Sequence, residues 1–244
     1  PPRFQAEDGI RDTSRGLVGS EMCIRDRAAA GSAFAFPTLG STIAVHANSY
    51  AAVRGYPKRN AGEDFYLLNK VAKVDGVYYR PDTVIEVSAR LSRRVPFGTG
   101  PALHSITAGL HDDPSGNFYQ SYHPGSFQLL REALGILEQL AHAARSDVPG
   151  LWQQARATPP GSLLEALRFD RVRKAIVAQY ADPFRRMRAL NEWFDGAKTL
   201  RFIHAARDHY PDQSLLQTLA NLPQDIAEHL KDPTSRVTPI TKPQ

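Results

Sequence analysis

From about Pro101 onward the apolar residues recur every three or four positions, and no other feature constrains the fold more. A chain with that period has stripes to bury, and helices bury stripes against other helices. Residues 127–137 carry a broad apolar face, and so do residues 163–167, continuing to Ile176 and Tyr180. A longer run over 184–210 contains Met187, Leu190, Trp193, Phe194, Leu200 and Phe202, with a break expected at Gly196. Short final helices are expected over 215–219 and 226–230, then a polar tail. Trp152 and Trp193 read most simply as core.

The preceding stretch has a different texture. Residues 28–39 are small and apolar and suit a loop leading into a strand at 42–46. Residues 48–53 read as a short helix with Asn48 as N-cap, closed by Gly55 and Pro57. A helix follows over about 63–74, with Phe65, Leu68, Val71 and Ala72 facing a core. Asp75-Gly76 marks a tight turn, and residues 77–80 and 83–87 read as strands. Alternating strand and helix is the signature of α/β layering. The expected organisation is therefore an α/β segment over 28–104, an all-α helical domain over 105–232 and a tail over 233–244.

Composition excludes little. The 244 residues suffice for a real core, and 42% hydrophobic with 23% charged content argues against wholesale disorder. No apolar run approaches the roughly 18 residues that span a bilayer. A formal charge of +5 from 30 basic and 25 acidic residues is compatible with an anionic partner and demands none. The single Cys23 excludes an internal disulfide.

Residues 1–27 stand apart, with no helical or strand period and no apolar leader. The stretches Phe4-Gln5-Ala6-Glu7-Asp8-Gly9-Ile10-Arg11-Asp12 and Glu21-Met22-Cys23-Ile24-Arg25-Asp26-Arg27 resemble translated sequencing-adapter read-through. The segment holds five arginines and five acidic residues, so setting it aside leaves the net charge at +5. The expectation is a non-native, disordered head joined to a chain whose natural sequence continues upstream of Ala28.

Two constellations carry chemistry. Glu63 and Asp64 fall in the first turn of the expected 63–74 helix. There a carboxylate accepts hydrogen bonds from unpaired N–H groups and meets the positive end of the dipole. A carboxylate held ionised in this way serves equally as a helix cap or as a base towards a nearby hydroxyl. Arg90, Arg93 and Arg94 follow an expected strand and precede Gly98-Thr99-Gly100. Guanidinium forks and a glycine turn suit phosphate oxygens, and they suit a solvated basic loop as well.

An ordered set of motifs bears on that choice: Gly40-Ser41-Thr42-Ile43-Ala44-Val45, Tyr50-Ala51-Ala52-Val53-Arg54-Gly55-Tyr56-Pro57, Gly62-Glu63-Asp64-Phe65-Tyr66-Leu67-Leu68, Ser88-Ala89-Arg90-Leu91-Ser92-Arg93-Arg94 and Phe97-Gly98-Thr99-Gly100. Together, over about residues 36–100, they resemble the second half of a family 2 glycosyltransferase. The resemblance implies the GT-A fold, so an α/β fragment followed by the helical region. It also implies an inverting transfer of a sugar from a nucleotide-sugar donor to an acceptor hydroxyl. Asp64 would be the base and Glu63 its orienting neighbour. Arg90, Arg93 and Arg94 would face the leaving diphosphate, with Gly40 and Ser41 on the acceptor-side loop near the donor sugar. A divalent metal, Mg or Mn, is implied for the whole enzyme, as is a cytoplasmic place, with the membrane surface as second choice. The family's Asp-x-Asp metal motif is absent, since no two aspartates here are separated by a single residue. The present chain is therefore expected to be inactive alone.

Other features weigh less. None of the eight histidines falls in a ligand spacing, and His204 and His209 are five apart, off a common helical face. His111-Asp112-Asp113 reads as a turn. Arg185-Arg186-Met187-Arg188 reads as a solvated face before a nucleic-acid or membrane contact. The main alternative to an enzyme is a non-enzymatic helical interaction module with the α/β part as scaffold.

Overall fold

The computed structural model describes residues 24, 26–36, 38, 43–59, 62–78, 104, 107–109, 111–112, 120–214 and 217–218. Among them the helical elements, in chain order, are α1 (Ala47–Ala52), α2 (Glu63–Val74), α3 (Pro124–His142), α4 (Val148–Arg156), α5 (Pro159–Ala166), α6 (Phe169–Gln179), α7 (Pro183–Trp193) and α8 (Gly196–Ala205). A 3-10 turn, Ala206–Asp208, follows α8. The sheet described is a two-residue antiparallel ladder, β1 (Gln120–Ser121) against β2 (Gln213–Ser214), with Gln120 opposite Ser214 and Ser121 opposite Gln213.

α3 is the axis of the helical body and packs against α4, α5, α7 and α8. Its Leu130, Ala133, Leu137 and Leu140 are spaced by three and four and are almost wholly removed from water. Around them close Val148 and Trp152 of α4, Leu163 and Leu164 of α5, Phe169 and Ile176 of α6, Leu190 of α7, and Phe202 and Ile203 of α8. An aromatic chain runs through this core. Trp152 meets Phe169 at 4.8 Å between ring centroids, Phe169 meets Trp193 at 5.0 Å, and Phe194 meets Phe202 edge-on at 5.9 Å.

The breaks between helices have local causes. The apolar run over 163–180 divides at Arg168, which takes a left-handed φ of 62° and turns α5 into α6. The run over 184–210 divides at Phe194-Asp195, one residue before Gly196. Asp195 there caps α8 by accepting from the Lys198 amide at 3.2 Å. α4 is less legible because Pro149 and Gly150 fall in its first turn, where proline loses no hydrogen bond.

The expected α/β layering is overturned. The described residues are mostly helical, and the two-residue ladder joins positions far outside the stretch expected to form a sheet. Ile43, Ala44, Val45 and His46, expected in a strand, are irregular. β-branched residues form a strand only when another backbone exchanges hydrogen bonds with theirs. In this chain Ile43 packs instead beside Phe34, Phe36, Leu68 and Ala72, and Val45 beside Val53, Leu67 and Val71. His46 turns its Nδ1 to the Asn48 amide and takes the N-cap position expected of Asn48. Val77 and Tyr78 are likewise outside any strand. The remaining expected strand residues, 79–80 and 83–87, and the final helix over 226–230 lie outside the described residues.

Candidate functional site

α2 runs over the expected residues. It starts after Gly62, which adopts φ 72°, and ends at Asp75 and Gly76, with Gly76 at φ 92°. A left-handed start suits glycine, which has no Cβ to crowd the following carbonyl. Gly62 offers no side chain to cap the helix, and in the first turn the Asp64 carboxylate takes one backbone amide instead. Asp64 Oδ1 accepts the Phe65 amide at 2.7 Å and is half-buried, whereas Glu63 is exposed. Asp64 is thus a carboxylate at the positive end of a helix, held by a backbone donor. Nearby, the Arg59 guanidinium lies over the Tyr66 ring at 3.7 Å.

The other residues of the expected site, Gly40, Ser41, Arg90, Arg93 and Arg94, lie outside the described residues. The structure therefore brings Glu63 and Asp64 together on one helical turn and places none of the others. Among the described residues no three His, Cys, Asp or Glu side chains gather as ligands for a metal ion. His111 and Asp112 are 3.3 Å apart and exposed. The Tyr122 hydroxyl and His204 Nε2 are 2.8 Å apart within the helical body.

The buried face of α2 holds what sequence reasoning missed. Asn69 is buried among Leu67, Leu68, Val71 and Ala72. Its Oδ1 accepts the Gly196 amide at 3.0 Å, and its Nδ2 donates to Asp195 Oδ2 at 3.2 Å. The same carboxylate oxygen accepts Lys73 Nζ at 2.5 Å. Burial works against ionisation of Asp195. The Lys73 hydrogen bond and the Lys198 and Lys73 charges outweigh it and hold the carboxyl below its ordinary range. Lys198 is pushed down by burial, helped by Lys73 and Arg201 and opposed by Asp195. An asparagine within an apolar helical face is itself a signal, because a buried amide needs partners. Those partners lie more than 120 residues away.

The class that fold and site define is a helical body carrying a docked helix, α2, with a carboxylate pair at its start. Comparison with known proteins adds no particular identity: no family model, no curated protein and no solved structure matches the chain.

Proposed function

We propose that this chain belongs to an inverting nucleotide-sugar glycosyltransferase in which Asp64 is the general base. The observation that carries the reading is the coincidence of two things. The Gly-Glu-Asp motif stands in order among the other motifs over 36–100, and its aspartate occupies the first turn of α2, held by the Phe65 amide. The reading rests on that coincidence and not on a sheet.

In the proposed reaction Asp64 takes the proton of an acceptor hydroxyl as that oxygen forms a bond to the anomeric carbon of the donor. The bond from that carbon to the diphosphate oxygen breaks on the opposite face, its electron pair leaving with the nucleoside diphosphate, so the configuration inverts. One carboxylate oxygen is engaged by the Phe65 amide, which orients the group. Negative charge grows on the departing diphosphate, and Arg90, Arg93 and Arg94 are the cations of this chain proposed to meet it.

The test is release of nucleoside diphosphate from nucleotide-sugars by the product of the gene as the source DNA carries it, with any coding sequence upstream. Asp64→Asn is expected to lower kcat by at least 100-fold, and unchanged turnover in that variant removes Asp64 from the mechanism. The extent of the core within α3 to α8 favours one other reading, a helical interaction module. Absence of any nucleotide-sugar binding in the same assay would select it.

A further inference from the structure

We infer that the Asp195–Gly196 seam positions Asp64, so that the helical body decides where the proposed base stands; the inference rests on the glycosyltransferase reading above. Phe65, Asn69 and Lys73 are spaced by four, and such residues form one ridge along a helix. All three meet α8 at its first residues. Asn69 engages the Gly196 amide and Asp195 with the two ends of its amide, and Lys73 binds the Asp195 carboxylate one turn further along. Phe65 closes against Gly196: a Cβ built there would stand 3.5 Å from Phe65 Cζ and 3.2 Å from Asn69 Oδ1. A side chain at residue 196 would touch Phe65 at ordinary contact distance and press Asn69 Oδ1 back by a few tenths of an ångström, so the grip of Asn69 is the one a substitution there disturbs.

A helix gripped along one ridge for two turns has its axial position and its rotation set together. Asp64 precedes the first gripped residue, and the Phe65 amide is the group that holds Asp64 Oδ1. Displacement of Phe65 therefore moves the carboxylate directly. Catalysis is steep in such displacements, with a misplacement of about 1 Å costing on the order of 100-fold. Asn69, Lys73 and Gly196 are positioning residues in this scheme and touch no substrate.

The experiment has two arms. In the first, amide hydrogen exchange is followed in the chain as it stands and in Asn69→Ala, with Gly196→Ala as a second variant in case the first fails to fold. Amides in the first two turns of α2 are expected to exchange at least tenfold faster while those of α3 keep their protection. Unchanged exchange in α2 overturns the proposal. In the second arm, kcat and donor KM are measured in the gene product used to test the function. Asn69→Ala is expected to lower kcat by about 10- to 100-fold with KM within about twofold. That loss should vanish in the Asp64→Asn background, because the seam acts through Asp64. A loss that persists there, or that tracks only the fraction unfolded, overturns the positioning role. Retained turnover in Asp64→Asn alone removes Asp64 from the mechanism and with it the positioning role. Absence of any nucleotide-sugar binding rejects the glycosyltransferase reading, and the exchange arm still decides whether the seam holds α2.

Discussion

At the residue scale, the chain shows how a single buried group carries a cost that no pattern announces. Asp26 stands in a short helical turn whose carbonyl accepts the Ala30 amide at 2.9 Å, and it is 6% exposed. Burial pushes its carboxyl up to about 7, against the opposing charge of Arg27. Because the folded value lies above the unfolded one near 3.8, the folded chain binds the extra proton between them. Stability from this group therefore falls as pH rises from about 4 through 7. Asp26→Asn is expected to stabilise the fold at pH 8 by on the order of a few kcal/mol, read as a higher denaturation midpoint, and to change it little at pH 4. Equal effects at both pH values would contradict the burial. The alternative at this scale is Asp64, whose first-turn position was legible from the Gly-Glu-Asp-Phe order, since a helix start depends on neighbours within one turn.

At the scale of elements, helix starts follow local chemistry closely. Thr158 Oγ1 accepts the Gly161 amide at 3.3 Å to open α5, and Asp182 accepts the Phe184 and Arg185 amides to open α7. Helix ends are tied across elements: Arg186 Nη1 donates to the Ala143 carbonyl at 2.8 Å, just past the end of α3. α4 and α5 approach closely at Gly161, where a Cβ would stand 1.9 Å from the Ala155 carbonyl oxygen. Backbone cannot yield as a flexible side chain does, so Gly161→Ala is expected to cost about 1–3 kcal/mol or more by overpacking. A thermal melt unchanged from wild type would show that α5 can shift without loss. Apolar period marked 127–137, 163–180 and 184–210 as helical but did not divide 163–180, and in 184–210 only Gly196 flagged the break. Those breaks depend on the backbone of Arg168 and on the capping bonds of Asp195.

At the scale of the whole molecule, the Asn69–Asp195–Lys73 group ties the stretch over 62–78 to the helical body. Asp195 is ionised at lower pH in the folded chain than in the unfolded one. The stability it contributes is therefore present above the unfolded value near 3.8 and lost as pH falls through the folded value. Asp195→Asn is expected to be less stable than wild type at pH 7, with the gap closing as pH is lowered through 3.8 and below. Denaturant midpoints across that range measure it, and a gap that does not change with pH would show that the ion pair contributes nothing as a charge. Asn69 belongs to the same accounting. A buried amide stripped of its partners costs about 1–3 kcal/mol, so the group holds together or fails together.

The sequence by itself determined the helical character of 127–137, 163–180 and 184–205, the extent of α2 and the place of Glu63 and Asp64 at its start. Periodicity and capping are properties of residues within one or two turns, and a single chain displays them in order. Only the tertiary structure decided that Ile43 and Val45 serve as packing rather than as strand, because a strand exists only where another backbone lies beside it. It alone decided that Asn69 on α2 meets Asp195 and Gly196 at the start of α8. No local pattern encodes a partner 126 residues away. A polar residue in an apolar face is a local signal that sequence reasoning passed over, and its partners are supplied by Asp195 and Gly196 at the start of α8.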